Sequence, residues 1–396
     1  GLRRLEYRGY DSAGIAVIDD KQELLCIRAL GKVEKLTALY DQCHLKGMLG
    51  IAHTRWATHG KPSEQNAHPQ QSEKKIALVH NGIIENYEQL REMLHKEKYT
   101  FDSETDTETV AHLVHFEASK TSDYLAAVTK AVKQLEGAYA LGIINADEPG
   151  RLIAVRHGSP LVIGLGIDEN FIASDTLALL PVTQKFVFLE EGDIADITLD
   201  QVAIYNKAGK KVERKVFNST SSSEGVNLNG YRHFMQKEIF EQPAALQETL
   251  EGRLTDNKIF PEVFGLHAKE MFGRVQHIQI VACGTSYNAG AVARYWLEEI
   301  AGVSCQVEIA SEIRYRKAVV LPNTLFVTLS QSGETADTLA ALKQAKELGY
   351  LATLAICNVP ESSLVRESDF VFMTRAGREI GVASTKAFTT QLLSLL

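Results

Sequence analysis

Beyond Phe240 one pattern recurs: a short apolar run, a turn of small polar residues, then a helical stretch. The apolar runs are His277–Ala282, Thr324–Leu329, Leu351–Cys357 and Phe370–Met373, and helical spacing marks Ala289–Ala301 and Thr335–Leu348. A strand that is apolar along its whole length has both faces buried. Strands alternating with helices achieve this in a parallel sheet with helices on either side. This half of the chain is therefore expected to fold as an α/β doubly wound parallel sheet.

Residues 1 to about 217 have a different rhythm. Apolar runs recur at Gly14–Val17, Ile76–Val79, Tyr139–Ile144, Leu152–Val155, Leu161–Ile163, Val187–Leu189 and Val202–Tyr205, separated by Gly, Asn and Asp. That punctuation belongs to strands and hairpins. Helical spacing is confined to Glu85–Glu97, Thr107–Lys120 and Ser122–Leu135. An α+β domain of packed antiparallel sheets covered by helices is expected. Between the two patterns lies NSTSSSEGVNLNG, Asn218–Gly230, polar and without a period. It reads as a linker, with a long surface loop as the alternative. The expected division is 1–222, a linker at 223–231, and 232–396.

The net charge is −8 and no long basic run occurs, which argues against a nucleic-acid surface. No stretch approaches the ~18 apolar residues of a membrane span. Five cysteines, Cys26, Cys43, Cys283, Cys305 and Cys357, are scattered without a CxxC pair, as expected of reduced thiols in the cytoplasm. Both ends read as cut. The chain opens on GLRRLEYRG without a Met, and it closes on TTQLLSLL without a helix stop signal.

Two strand-to-helix turns, CGTSYNAG at Cys283–Gly290 and SQSGETADT at Ser330–Thr338, carry chemistry. A helix N-terminus offers free N–H groups and a partial positive charge, which suit a phosphate. Thr285 and Ser286 in one turn, and Ser330, Ser332 and Thr335 in the other, add neutral donors. A third cluster, GVASTKAFT at Gly381–Thr389, again places hydroxyls at a helix start. The competing reading is of helices capped by Ser and Thr and nothing more. No GxGxxG or GxxxxGK[ST] occurs, so neither a dinucleotide nor a nucleoside triphosphate is indicated.

In the first half, HTRWATHG at His53–Gly60, HNGIIENY at His80–Tyr87 and SETDTE at Ser103–Glu108 supply parts for glutamine hydrolysis. Arg55 can pair with an α-carboxylate, Asp106 with an α-ammonium, and the Asn81 amide and Gly82 N–H with an oxyanion. Singly, Arg55 could be a surface charge, Asn81-Gly82 a hairpin turn and Asp106 a helix cap. HTRWATHG fits neither a helix face nor a clean strand. Metal binding by His53, His59, His68 and His80 would lack any zinc spacing.

Together, YRGYDSAG, HTRWATHG, HNGIIENY and SETDTE resemble the class II glutamine amidotransferase domain. ACGTSY, LSQSGET and GVASTKAFT resemble the sugar isomerase (SIS) domain of the glucosamine-6-phosphate synthase family. The resemblance covers essentially the whole chain in the family's domain order. It implies an N-terminal-nucleophile hydrolase-like domain of helix/sheet/sheet/helix layers, followed by a SIS domain. It implies a glutamine site at Arg8, Arg55, Trp56, Thr58, His59 and Asp106, with Trp56 gating an ammonia passage. It implies that Ser330, Gln331, Ser332 and Thr335 hold a sugar phosphate, and that Thr285, Ser286, Val382 and Ser384 line the sugar. It also implies glutamine and fructose 6-phosphate as substrates, a homodimer, and no metal or organic cofactor. The family begins on a nucleophilic Cys where this chain has Gly1, and its isomerase base would follow Leu396. Binding of both substrates without turnover is the expectation. The rival readings are a sugar-phosphate sensor and a plain phosphosugar isomerase. The first would have no use for Arg55, Asn81 and Asp106 together, and glutamine binding would exclude the second.

Overall fold

The computed structural model describes residues 1–5, 10–43, 45–55, 61–219, 228–255 and 258–396. It divides into two compact units, Gly1–Glu224 and Gly225–Leu396.

The first unit opens with α1 (Leu2–Leu5), β1 (Ser12–Ile18), β2 (Leu24–Leu30), α2 (Val33–Cys43) and β3 (Leu49–Arg55). There follow β4 (Gln70–Ser72), β5 (Ile76–Ile84), α3 (Tyr87–Lys96), α4 (Asp106–Ala118), α5 (Tyr124–Val132) and β6 (Gly137–Asn145). It continues through β7 (Leu152–His157), β8 (Val162–Leu165), β9 (Asn170–Ala173) and β10 (Lys185–Phe188). It closes with β11 (Ile194–Ile197), β12 (Val202–Tyr205), β13 (Lys211–Val212) and β14 (Val216–Asn218). Seven strands form one antiparallel sheet, β13-β12-β11-β7-β6-β5-β4, and two smaller sheets have the orders β2-β1-β3 and β14-β10-β8-β9.

The alternation of side chains along a strand decides the layering. In β6, Tyr139, Leu141 and Ile143 pack against α3, α4 and α5, whereas Ala140 and Ile144 face the smaller sheets. In β7, Ile153 and Val155 join the helices, and Leu152 and Ala154 the sheets. Small residues line the sheet-to-sheet side. A Cβ on Gly142 would stand 2.7 Å from Ile172 and 3.1 Å from Val79, so the sheets approach as closely as side chains allow. On the far side α2 sets Val33 and Leu36 against Ala13 and Ala29. The layers are helix, sheet, sheet, helix, as expected.

HTR is strand after all. Leu49–Arg55 pairs antiparallel with β1, and His53 within it faces another side chain, described below. Asn218, expected in the linker, ends β14, and the neighbouring Ser219 is buried with its N–H on the Gln184 carbonyl at 2.8 Å. Residues 220–227 of the expected linker lie outside the described residues.

The second unit begins with α6 (Phe234–Leu250), the short strands β15 (Leu254–Thr255) and β16 (Lys258–Ile259), and α7 (Ala268–Phe272). Next come β17 (His277–Ala282), α8 (Gly284–Glu299), β18 (Ser304–Ile309), α9 (Ala310–Tyr315) and β19 (Thr324–Ser330). Then come α10 (Ala336–Glu347), β20 (Ala352–Cys357), α11 (Ser363–Glu367), β21 (Phe370–Met373) and α12 (Lys386–Leu395). The sheet is parallel throughout, in the order β18-β17-β19-β20-β21. Ile280, Leu325, Val327, Leu354 and Ile356 face α8 and α12, while Val281, Phe326 and Ala355 face α9, α10 and α11. Both faces are covered, which explains the unbroken apolar runs.

Ile143 is fully buried between β6 and the helical layer. Ile143→Ala is expected to lower unfolding free energy by about 2–5 kcal/mol. Ile167→Ala, at a side chain 89% exposed, should stay within about 0.5 kcal/mol of the parent. Denaturant titration of both variants checks the pair.

Candidate functional sites

In the first unit β3, β5 and the start of α4 converge. Asn81 lies on β5 with its side chain toward β3, where its Oδ1 is 2.7 Å from His53 Nε2. A carboxamide oxygen only accepts, so the imidazole donates through Nε2. This fixes the Asn81 amide with its N–H groups turned away from His53. Gly82 beside it has φ +133°, and a Cβ there would lie 1.9 Å from the Ala138 carbonyl oxygen. Only glycine can bring that stretch of β5 so close to β6.

Asp106 opens α4, but the cap belongs to Thr105, whose hydroxyl accepts from the Glu108 N–H at 3.3 Å. Glu108 returns to the loop before it, accepting from the Asp102 and Ser103 N–H groups at 2.8 Å each. This reciprocal capping leaves Asp106 other work. Its Oδ2 accepts from the Ile84 N–H at 2.9 Å and lies 3.8 Å from His80 Nδ1. Arg55, at the end of β3, is buried. Burial presses its guanidinium below the usual range, and the charges of Asp11 and Asp106 offset part of that. A buried cation and a buried anion thus lie within electrostatic reach of each other, next to an oriented amide.

Three histidines line this region as a stack, His53 to His68 at 4.5 Å and His68 to His80 at 6.4 Å between ring centroids. By area the His53 ring is half-buried, yet its Nδ1 is sealed from solvent. Burial presses this imidazole down to about 4; the bond to Asn81 opposes the shift, and His80 and Arg55 add to it. His68 is pushed well below its usual range, by burial first and then by His53, His80, Arg55 and Arg28. Among the described residues no group of three or more His, Cys, Asp or Glu is arranged to hold a metal ion.

In the second unit the strands run in the chain order 2-1-3-4-5, with β17 between β18 and β19. The chain leaves β17 toward one edge and returns on its other side, so a crevice opens at the carboxyl ends of β17 and β19. In doubly wound sheets ligands bind at such a switch point. Both hydroxyl-rich turns lie there, and Cys283 Sγ of the first is 3.9 Å from Thr338 Oγ1 of the second. The first is shorter than the sequence suggests. α8 starts at Gly284 rather than near Ala289, so Thr285 and Ser286 belong to its first turn, where main-chain N–H groups have no helical partner. In the second, Ser330 Oγ accepts from the Gly333 N–H at 2.9 Å, and Ser332 Oγ from the Glu334 N–H at 3.2 Å. Thr335 is the N-cap of α10, with no side-chain cap bond. Gly333 has φ +66°, and a Cβ would stand 2.0 Å from Ser362 Oγ. Glu334, whose charge would oppose an anion in this turn, sends Oε1 to the Ser363 N–H at 2.7 Å.

The third cluster follows β21. Val382 is 82% exposed and Ser384 half-buried. Two buried carboxylates hold this loop. Glu238 of α6 accepts from the Ile380 and Gly381 N–H groups. Glu379 accepts from the Thr385 and Ala387 N–H groups at 2.8 and 3.0 Å.

Residues 53–181 match the model of the glutamine amidotransferase domain family, and residues 271–396 that of the SIS domain. Over all 396 residues the chain is 61% identical to the glutamine–fructose-6-phosphate aminotransferase (isomerizing) of Vibrio vulnificus strain CMCP6. It is 62% identical over the same length to that of Haemophilus influenzae, and it spans 65% of each relative. Along its whole length the chain is thus similar to glutamine–fructose-6-phosphate aminotransferases, of which it spans 65%, and it contains a glutamine amidotransferase domain and a SIS domain. A solved C-terminal domain of the aminotransferase from Francisella tularensis shares 59% identity with it, over 43% of this chain and 48% of that one, at a TM-score of 0.42.

Of the residues the family resemblance singles out, the structure gathers Arg55, Asn81, Gly82 and Asp106 in one region. It places Thr285, Ser286, Ser330, Gln331, Ser332, Thr335, Val382 and Ser384 in turns and helix starts that follow β17, β19 and β21. Arg8, Trp56, Thr58 and His59 lie outside the described residues. All five cysteines are free. Sequence reading considered His53 and His80 only as metal ligands, and missed Asp11, Glu238 and Glu379. Asp11 stands within the quoted YRGYDSAG; the two glutamates carry no local signal.

His53 is expected to stay neutral down to about pH 4. Its folded pKa lies below the ~6.5 of an unfolded histidine, so between these values the unfolded chain binds more protons. Stability then falls as pH drops from 6.5 toward 4, by no more than about 3 kcal/mol from this group. His53→Gln, which keeps a donor for Asn81, should remove this part of the acid sensitivity. Unfolding titrations at pH 7 and pH 4.5 on both proteins check it.

Proposed function

We propose that this chain supplies the glutamine site and the sugar-phosphate site of an enzyme that makes glucosamine 6-phosphate from glutamine and fructose 6-phosphate. What carries the proposal is the presence of both chemistries in one chain. The first unit assembles a cation, an anion and an oriented amide, and the second sets two hydroxyl-bearing helix starts at a switch point. Arg55 would hold the α-carboxylate of glutamine and Asp106 its α-ammonium. Asn81 Nδ2 and the Gly82 N–H would face the oxyanion formed when the amide is attacked. The family nucleophile is an N-terminal Cys thiol. Cys26 is a poor substitute, since burial raises its pKa. Ser330, Gln331, Ser332 and Thr335 would hold the phosphate, and Thr285, Ser286, Val382 and Ser384 the sugar. The family setting supports Arg8, Trp56, Thr58 and His59 as further parts of the glutamine site, a homodimer, and a cytoplasmic location. Among the described residues no helix is long and apolar enough to cross a membrane.

Calorimetry with each ligand tests this reading. Arg55→Ala should weaken glutamine binding by about 1.5–3 kcal/mol, the value of a charge-assisted hydrogen bond, and leave fructose 6-phosphate binding unchanged. Ser332→Ala should show the opposite pattern. Equal losses for both ligands in either variant would overturn the assignment of two separate sites.

A further inference from the structure

The hydroxyl groups that the sugar-phosphate reading assigns to the ligand are loaded in two opposite senses. Ser330 and Ser332 each already accept a main-chain N–H, from Gly333 and Glu334. Each keeps its own proton free to donate to a ligand. Ser384 and Thr385 are loaded the other way. Ser384 Oγ is 3.0 Å from Glu379 Oε2, and Thr385 Oγ1 is 3.1 Å from Glu379 Oε1. A carboxylate only accepts, so both hydroxyls donate to it and present lone pairs to anything else. Glu379 is held in this role: buried, it also accepts from the Thr385 and Ala387 N–H groups at Oε1, which leaves Oε2 to Ser384.

A phosphate dianion offers acceptors only. It is served by Ser330, Ser332 and the N–H groups at the start of α10, and it meets lone pairs at Ser384. A sugar hydroxyl can donate, and Ser384 is suited to accept it. We infer that Glu379 is a specificity-determining residue of this site, which by accepting the hydrogen bond of the Ser384 hydroxyl makes that part of the site accept ligand hydroxyls and reject ligand anions. The ligand class that satisfies both ends is a phosphorylated sugar or polyol. A phosphorylated sugar acid, with a carboxylate at the end remote from phosphate, is excluded. This inference rests on the sugar-phosphate reading above.

The decisive variant is Glu379→Gln. The glutamine Oε1 can go on accepting from the Thr385 and Ala387 N–H groups. Its Nε2 donates to Ser384, whose proton is then released toward the ligand. Calorimetry is run with inorganic phosphate, fructose 6-phosphate and 6-phosphogluconate on the parent chain and on the variant. The parent should prefer fructose 6-phosphate to 6-phosphogluconate. In the variant that preference should narrow by about tenfold or more, with a gain for the acid, while inorganic phosphate changes less than about twofold. A loop that had merely loosened would weaken both sugars together and could not strengthen the acid, and that result overturns the inference. If none of the three probes binds the parent chain, the phosphate reading and the inference fall together. If Glu379→Gln does not fold, Ser384→Ala carries the test. Fructose 6-phosphate should then weaken toward inorganic phosphate, and an unchanged fructose 6-phosphate affinity overturns the inference.

Discussion

A buried carboxylate that accepts from main-chain N–H groups is the interaction on which both sites depend. A loop that must present side chains to a ligand cannot spend its own amides on a sheet, and a buried amide without an acceptor is costly. Here acidic side chains supply the acceptors. Asp106 takes the Ile84 N–H, Glu108 those of Asp102 and Ser103, Glu334 that of Ser363, Glu238 those of Ile380 and Gly381, and Glu379 those of Thr385 and Ala387. The bonds satisfy the amides of the loop and give each carboxylate partners in place of the water it loses.

The same device gives direction to neutral groups. Asn81 and Ser384 are ambivalent in isolation, since a carboxamide can turn over and a hydroxyl can rotate. His53 removes the freedom of the first and Glu379 that of the second. Each site therefore presents a determined pattern of donors and acceptors before any ligand arrives, and less reorganisation is left for binding to drive.

The layering of both units was legible in the sequence because it depends on local periodicity. Tyr139–Ile144 and His277–Ala282 announce their strands by apolar density, and the Gly-Ser-Thr turns announce helix starts by composition. What escaped depends on partners far apart along the chain. His53 meets Asn81 across 28 positions and Glu238 meets Gly381 across 143, and no window of sequence contains both ends. The strand Leu49–Arg55 was obscured because its last three residues, His53, Thr54 and Arg55, are polar, although Ile51 sits in the core. The early start of α8 was obscured because Gly284 and Thr285 are poor helix formers.

The position of β17 in its sheet has a further consequence, for the growing polypeptide. It is the first strand of that sheet to be synthesised, yet it lies inside, with a neighbour on each side. α8 and β18 follow at once and cover one edge. The other edge stays open until Thr324–Ser330 leaves the ribosome. For that interval the nascent chain carries an apolar strand with a free row of amides, a template that another chain can occupy. The arrangement that opens a crevice for a ligand in the finished protein thus also sets the period when the unfinished one most needs protection from its neighbours.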